Sequence, residues 1–148
     1  MMKEVFKLTD DDFKEYSDDI GFDPVDLSDH PVKLAQEHLD ALKAIVGEEG
    51  FSVSDYDRLA VAYGFTAYDI LRLRHKIIDS VPDVVLYPDT TEQVEKIVAY
   101  STEHDIPLYV YGGGSSVTRG VEPVKGGISL DMRRRFNKVL SFNEIDQT

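Results

Sequence analysis

The sequence predicts an α+β fold in which a helical N-terminal region, residues 1–80, precedes a unit of strand–helix–strand order, residues 81–148. Two observations predict it. In the first region, apolar residues recur at helical spacing between capping signals. From Pro82 onwards, short runs of β-branched and aromatic residues flank one amphipathic segment. With 148 residues and an apolar fraction of 42%, the chain can bury one modest hydrophobic core.

Four helices are predicted in the first region, each starting at a side chain that can cap a helix N-terminus. The caps are Thr9, followed by three aspartates; Ser28 or Asp29, with Pro31 in the first turn; Ser54, with Asp57; and Thr66, with Asp69. The predicted helices end near Ile20 before Gly21, at Val46 before Gly47, at Tyr63 before Gly64, and after Ile78.

A parallel strand–helix–strand unit begins the second region. Its first strand is Val84–Tyr87, which Pro88 ends. Thr91 caps a helix that continues to about residue 104, and the second strand follows at residues 108–111. Parallel strands joined in this way require a right-handed crossover. Two further strands are predicted, one at residues 128–132 after Gly126 and Gly127, and one at Lys138–Phe142.

Composition excludes several classes of function. The chain carries 28 acidic and 16 basic residues, a net charge of −12, which disfavours nucleic-acid backbones and anionic membranes. The absence of cysteine excludes disulfides, thiolate metal ligands and cysteine nucleophiles. The sequence has neither a signal-peptide pattern nor an apolar run of about 20 residues. We therefore expect a cytoplasmic protein with no nucleic-acid partner and no transmembrane segment.

The acidic residues are concentrated at the front of the chain. Residues 1–57 hold 16 acids and 5 bases, whereas residues 58–148 hold 12 acids and 11 bases. Starting from Asp18, Asp19 or Asp23, these acids do not follow the ligand register of a calcium-binding EF-hand loop. The four histidines form no pair at i,i+3 or i,i+4 spacing. We therefore expect a solvated acidic helical surface and no metal site.

The most informative motif follows the strand at residues 108–111, and its members are Gly112, Gly113, Gly114, Ser115 and Ser116. Consecutive glycines let an anion approach main-chain N–H groups closely, and the carboxyl end of a strand is a typical ligand position. The motif lacks the Gly-Lys-Ser/Thr of a Walker A loop and the last glycine of the dinucleotide fingerprint. The local sequence alone therefore leaves a structural turn and a phosphate cradle as alternatives.

The order of motifs around this loop resembles the FAD-binding domain of the vanillyl-alcohol oxidase/p-cresol methylhydroxylase superfamily. The resemblance extends from about residue 82 to residue 148 and is carried by VPDVVLYPDTTEQVEKIVAYSTEHDIPLYVYGGGSSVTRGV, GGISLDM and FNKVLSF. Upstream, DRLAVAYGFTAYDILRLRHKIIDSVPDVVLYP is similar to the segment that leads into this domain in alkyldihydroxyacetonephosphate synthases. The resemblance implies the first lobe of a p-cresol methylhydroxylase-type domain, with FAD as cofactor.

The resemblance also implies the cofactor-binding residues. The pyrophosphate run of the family, of the type Pro-Ile-Gly-Gly-Gly-Thr-Ser, falls on Val110, Tyr111, Gly112, Gly113, Gly114, Ser115 and Ser116. Val110 replaces the frequent proline, and Ser115 replaces threonine and keeps its hydroxyl. Pro88 matches a family proline near the flavin. Some members attach flavin covalently through a histidine in this loop; none occurs here, so the resemblance implies non-covalent FAD.

By this resemblance, the chain is the N-terminal piece of a longer flavoenzyme. Family members continue into a second lobe that covers the flavin and into a cap domain for the substrate. Their catalytic residues lie in those later parts, so none is assigned here. We expect the isolated 148 residues to be inactive, and either to form homo-oligomers or to bind FAD weakly.

Three functions remain open from the sequence. Alkyldihydroxyacetonephosphate synthases use flavin to exchange an acyl chain for a fatty alcohol in ether-lipid synthesis, without net redox change. Dehydrogenases of D-lactate or glycolate, in the same superfamily, transfer a hydride from a 2-hydroxy acid to the flavin. The alternative of another class is a non-catalytic interaction module whose surface is the acidic helices.

Two charged features lie near the strand at residues 128–132. Asp131 is expected to cap a turn rather than to act as a catalytic base. The run Arg133, Arg134 and Arg135 is expected to solvate a turn. The functional alternative for the run is an ion-pair site for the second lobe or for the acidic front helices.

Overall fold

The structure, a computed structural model, describes Thr9 and residues 24–146. Four strands form one sheet: β1 (Phe51–Ser52), β2 (Val84–Leu86), β3 (Leu108–Tyr111) and β4 (Ile128–Asp131). The helices are α1 (Gln36–Val46), α2 (Asp55–Ala60), α3 (Ala67–Arg74) and α4 (Thr91–Glu103), and a 3-10 turn at Glu48–Gly50 precedes β1. Apart from Thr9, the helix predicted from Thr9 to Ile20 lies outside the described residues. Within them, no helix has the length and apolar character needed to cross a bilayer.

The sheet has the strand order β1-β2-β4-β3. β2 and β3 both pair in parallel with β4, in a register that places Leu86 and Val110 on either side of Leu130. The α+β class and the parallel direction of the predicted strands are confirmed. β4 nevertheless lies between β2 and β3, so α4 connects two strands that are not neighbours. β1, which the sequence pattern does not predict, pairs antiparallel with β2 at the edge.

The strand predicted at Lys138–Phe142 is wrong. Residues 138–142 pair with no other segment in the described part of the chain, and Val139 and Leu140 are 88% and 92% exposed. An alternating pattern forms a strand only where a neighbouring strand supplies hydrogen bonds and one face can be buried. Among the described residues, neither condition holds for this segment.

Two predicted caps begin helices where expected. Ser54 Oγ accepts the N–H of Asp57 at 3.2 Å at the start of α2. At the start of α3, Thr66 Oγ1 accepts the N–H of Asp69 at 2.9 Å, and the Asp69 carboxylate accepts the N–H of Thr66. Gly47, with a φ of +76°, ends α1 as predicted, because glycine adopts a positive φ at no steric cost.

The start of α1 differs from the prediction. The helix begins at Gln36 rather than after Ser28 or Asp29, and Pro31 lies outside it. Upstream of the helix, the Asp83 carboxylate accepts the N–H of Lys33 at 2.7 Å. This bond ties the segment before α1 to the start of β2 and holds it out of the helix, which the local pattern does not predict.

Three other helix boundaries also differ. α2 ends at Ala60 instead of Tyr63, because the chain turns there. α3 ends at Arg74 instead of continuing through residue 78, because Lys76 adopts a left-handed φ of +55° that an α-helix does not contain. α4 is capped by Thr90, one residue before the predicted cap.

The main hydrophobic core lies between the sheet and helices α1 and α4. Its buried members are Leu39, Leu42, Val46, Val84, Leu86, Ile97, Ile106, Ile128 and Leu130. Val85 instead packs with Val61, Tyr87 and Tyr111, because successive residues of a strand face opposite sides of the sheet. Residues 36–61 therefore contribute to the packing on both faces of the sheet.

Candidate functional site

The carboxyl ends of three strands lie side by side, along the edge of the sheet at which these strands end. Because β2, β4 and β3 run in parallel, their carboxyl ends lie at the same edge and lead into Tyr87, Met132 and Gly112. Pro88, the residue predicted near the flavin, is fully buried beside this edge. β4 separates Pro88 from the loop at residues 112–116, because the strands that lead to them, β2 and β3, lie on either side of β4, about 10 Å apart.

The loop after β3 presents unpaired backbone donors. The N–H groups of Gly113, Gly114 and Ser115 have no acceptor among the residues that the structure describes. Gly112 and Gly113 are exposed, and a Cβ atom built on either would meet no neighbouring atom within 4 Å. An anion can therefore approach the main chain at Gly112 and Gly113 without meeting a side chain, whereas Gly114 is buried.

Gly114 differs from the two glycines before it. It has a φ of +71°, a conformation that favours glycine. A Cβ atom at this position would overlap with the hydroxyl and ring of Tyr111. Gly114 therefore makes the turn by which the loop packs against Tyr111, while Gly112 and Gly113 stay open.

The last two residues of β3 differ in burial. The Val110 side chain is 57% exposed, whereas Tyr111 is buried. The Tyr111 hydroxyl donates a hydrogen bond to the main-chain carbonyl of Tyr63 at 3.2 Å, and the Arg133 guanidinium lies 4.4 Å from the Tyr111 ring centroid. Burial raises the pKa of Tyr111, so the phenol keeps its proton at neutral pH and remains a hydrogen-bond donor.

The two serines of the loop differ in their hydrogen bonds. Ser116 Oγ accepts the N–H of Gly120 at 3.2 Å, and the Ser116 carbonyl accepts the N–H of Phe65 at 3.2 Å. Ser115 is exposed and makes no hydrogen bond to the described residues. Ser116 therefore fixes the shape of the loop, while the Ser115 hydroxyl is available to a ligand.

Asp131 ends β4 and fixes Arg133. Its Oδ1 accepts the main-chain N–H of Arg133 at 2.8 Å, which is the predicted turn cap. The same carboxylate accepts Nε at 3.0 Å and Nη2 at 2.7 Å. The hydrogen bond to Asp131 raises the pKa of Arg133, which keeps the guanidinium cationic beside Tyr111.

The other two arginines of the run are also paired. Arg134 lies 4.8 Å from the ring centroid of Tyr87 and 4.0 Å from the carboxylate of Asp57, which belongs to α2. Arg135 Nη2 lies 2.8 Å from Asp89 Oδ2. The run does not simply solvate a turn, because it joins the acidic front of the chain and the segment after β2 to the end of β4.

Tyr87 and Asp57 lie close enough at this edge to affect each other's pKa. Burial raises the pKa of Tyr87 to about 12. Burial alone would raise the pKa of Asp57, but hydrogen bonds from Ser52 (2.5 Å) and Ser54 (3.0 Å) outweigh it and hold the pKa below its usual value. At neutral pH the pair is a neutral phenol and a carboxylate anion, with Arg134 as the nearby cation.

Sequence reasoning missed a buried ion network behind the loop. Arg72 is 3% exposed and is paired with the carboxylates of Asp79 and Glu122, the latter at 3.3 Å. Arg119 lies 2.6 Å from Glu122. Burial would raise the pKa of Glu122, but hydrogen bonds from the two arginines outweigh it and lower the pKa. The sequence signal is the i,i+3 spacing of Asp69 and Arg72, which is equally typical of exposed helix pairs.

Two histidines that are distant in sequence are neighbours in the fold. The ring centroids of His38 and His104 are 5.1 Å apart, and His38 Nδ1 lies 2.9 Å from the Tyr100 hydroxyl. Sequence spacing alone did not predict this contact, because it forms between α1 and the end of α4. Among Thr9 and residues 24–146, no three His, Asp or Glu side chains are grouped as a metal ion would require.

Comparisons with known proteins agree on one family. Residues 82–148 match the family model described as the FAD binding domain. The alkyldihydroxyacetonephosphate synthase of Trypanosoma brucei brucei is 32% identical over 109 residues, which are 70% of this chain and 18% of that protein. The mitochondrial D-lactate dehydrogenase (cytochrome) 1 of Saccharomyces cerevisiae is 27% identical over 128 residues, 85% of this chain and 21% of that protein. A solved alkyldihydroxyacetonephosphate synthase has a TM-score of 0.72 and 28% identity, covering 78% of this chain and 22% of its own.

The fold and the matched residues define an FAD-binding domain of the p-cresol methylhydroxylase type. Residues 82–148 belong to this family, and the resemblance read from the sequence is confirmed. FAD is the cofactor of the family, as predicted. The chain spans about a fifth of the length of the curated relatives named above.

Proposed function

We propose that residues 110–116, together with Pro88 across the sheet edge, bind FAD non-covalently. The observation that carries the proposal is the run of unpaired N–H groups at residues 113–115, beside an open surface at the carboxyl end of a parallel strand. Backbone donors suit a pyrophosphate because they bring partial positive charge close to it without a bulky side chain. Non-covalent attachment fits the sequence of the loop at residues 112–116, which contains no histidine.

The residues of the loop have different parts in this proposal. Gly112 and Gly113 admit the pyrophosphate to the main chain, and Ser115 adds a hydroxyl donor. Val110 and Tyr111 act through their backbone, since their side chains are respectively solvent-exposed and buried below the loop. Bound flavin supplies electron-accepting chemistry that the side chains at this edge lack.

We propose that residues 81–148 are the first lobe of this domain, after a helical region at residues 1–80, and that a second lobe and a cap domain cover the site in the whole protein. The whole protein is then a flavoenzyme of the alkyldihydroxyacetonephosphate synthase group, which replaces an acyl chain by an alkyl chain. Support comes from the 32% identity to the trypanosomal synthase and the TM-score of 0.72 to a solved synthase.

A second candidate is a flavin-linked dehydrogenase of a 2-hydroxy acid. The observation in its favour is the match to a yeast D-lactate dehydrogenase, which covers 85% of this chain. The two candidates differ in what the substrate does to the flavin of the full-length protein. D-lactate bleaches the flavin absorbance of a dehydrogenase, whereas alkyl exchange proceeds without net bleaching.

FAD binding is tested by titrating the 148-residue chain into FAD and following flavin fluorescence. We expect saturable binding that ADP competes for and riboflavin does not, because the loop holds the pyrophosphate rather than the ring. Gly113→Val should abolish binding, since the added side chain fills the open side of the loop. Saturable FAD binding with the same affinity in the variant would exclude the loop as the pyrophosphate site. The absence of binding by the unaltered chain would favour the non-catalytic interaction module.

A further inference from the structure

The turn before α3 lies directly against the glycine-rich loop. The Phe65 N–H donates to the Ser116 carbonyl at 3.2 Å, and the Tyr63 carbonyl accepts from the Tyr111 hydroxyl at 3.2 Å. Between these two bonds, Gly64 is buried, and a Cβ atom there would overlap with the Ser116 carbonyl. The main chain at residues 63–65 therefore packs directly against the loop and supports it.

A second set of contacts holds residues 119–122, the segment that follows the loop. Glu122 accepts from Arg72 of α3 at 3.3 Å and from Arg119 at 2.6 Å. Ser80 Oγ lies 3.3 Å from the same carboxylate. Arg119 also lies 5.7 Å from the ring centroid of Tyr68 of α3. Side chains of residues 68–80 therefore fix residues 119–122, which follow the loop.

The two contacts belong to one unit. The Arg72 guanidinium lies 4.7 Å from the ring centroid of Tyr63, and the Tyr63 hydroxyl accepts the N–H of Asp79 at 2.9 Å. Arg72 also pairs with the Asp79 carboxylate. The main chain that supports the loop and the side chain that binds Glu122 are thus held together by Tyr63, Arg72 and Asp79. All three residues precede the family match, which begins at residue 82.

We propose that residues 63–80 are a positioning element for the pyrophosphate loop. Gly64, which has no side chain, lets the Ser116 carbonyl pack against the main chain at residues 63–65 and so determines the position of the loop. The ligand in this proposal, FAD, is taken from the proposed function, on which the proposal therefore rests. A run containing three glycines cannot hold its own conformation, since glycine has the widest backbone freedom of any residue. Hydrogen-bond donors must be held to within about 0.5 Å to bind an anion well, so the rigidity must come from the surroundings.

Gly64→Ala tests the proposal, and Gly120→Ala is the matched control. A Cβ atom at Gly64 forces the Ser116 carbonyl to move by about 1 Å to reach ordinary contact distance. A Cβ atom at Gly120 meets nothing closer than 3.9 Å, although it lies on the same segment. If Gly64→Ala does not fold, Glu122→Gln replaces it, because it weakens the anchor at nearly constant volume.

Two readouts are taken, the dissociation constant for FAD and, without FAD, the hydrogen exchange of the Phe65 amide, which donates to the Ser116 carbonyl at 3.2 Å. We expect Gly64→Ala to weaken FAD binding by about tenfold or more and to speed the exchange, and Gly120→Ala to change neither. Unchanged affinity and exchange in Gly64→Ala, or equal losses in Gly120→Ala, would overturn the positioning role. If the unaltered chain does not bind FAD, the proposed function fails, and the exchange comparison alone still decides whether residue 64 positions the loop.

Discussion

The hydroxyl of Tyr111 donates a hydrogen bond to the main-chain carbonyl of Tyr63, 48 residues earlier in the chain, at 3.2 Å. Tyr111 ends the strand before the glycine-rich loop, and Tyr63 lies in the turn that supports that loop. Both residues are buried, so the bond joins the turn before α3 to the candidate site away from solvent.

Tyr111→Phe removes this hydrogen bond and leaves the ring in place. We expect the free energy of unfolding to fall by about 1–2 kcal/mol, because the Tyr63 carbonyl is left without a partner in a buried position. Urea denaturation measures the change. Tyr56→Phe is the control, because Tyr56 is 70% exposed, and it should leave the stability unaltered. Equal stabilities for the two variants would contradict the role of the bond.

Gly114→Ala should lower the stability by about 1–3 kcal/mol, since it combines a positive φ with overlap against the Tyr111 ring. Gly113→Ala should leave the stability close to that of the unaltered chain, because its φ is not positive and its surroundings are open. Thermal unfolding of the two variants side by side measures the difference. Similar melting temperatures would mean that the loop does not turn at Gly114 as described.

Arg72→Met should be the most destabilising of these substitutions, by about 3–5 kcal/mol, because it leaves Glu122 as a buried carboxylate with one partner fewer. Arg74→Met, in the same helix, is the control, since Arg74 is exposed. Chemical denaturation is the measurement. A loss below that of the Arg74 variant would show that the network does not anchor the loop segment.

The same network predicts a dependence of stability on pH. Hydrogen bonds from Arg119 and Arg72 hold the pKa of Glu122 below its ordinary value of 4.5, against the effect of burial. The unfolded chain therefore binds this proton more readily than the folded one, so its contribution is present above pH 4.5 and is lost as the pH falls through the folded pKa. Denaturation at a series of acidic pH values should give a shallower dependence for Glu122→Gln. An identical slope for both proteins would rule out this contribution.

Local signals in the sequence predicted the elements that depend on neighbouring residues. Ser54 and Thr66 cap their helices through bonds that span three residues, and Gly47 ends α1 through its own φ. The run at residues 112–116 was identified as the candidate site because glycine content is visible without a structure. Each of these features is set within a few residues of chain.

Features that depend on distant partners could not be predicted. β1 has two residues and forms only because β2 offers it an edge. α1 begins late because Asp83 binds Lys33 across 50 residues. The support of the loop by Gly64 follows from a close approach of two main chains, for which the glycine itself is the only local sign.

Binding of the pyrophosphate of FAD by the amides of the glycine-rich loop is tested most directly by amide NMR of the isotope-labelled chain. On addition of FAD, we predict that the largest chemical-shift changes fall on residues 112–116, and that ADP reproduces them. Changes confined to other parts of the chain, with the amides of Gly113, Gly114 and Ser115 unaffected at saturating FAD, would contradict the account.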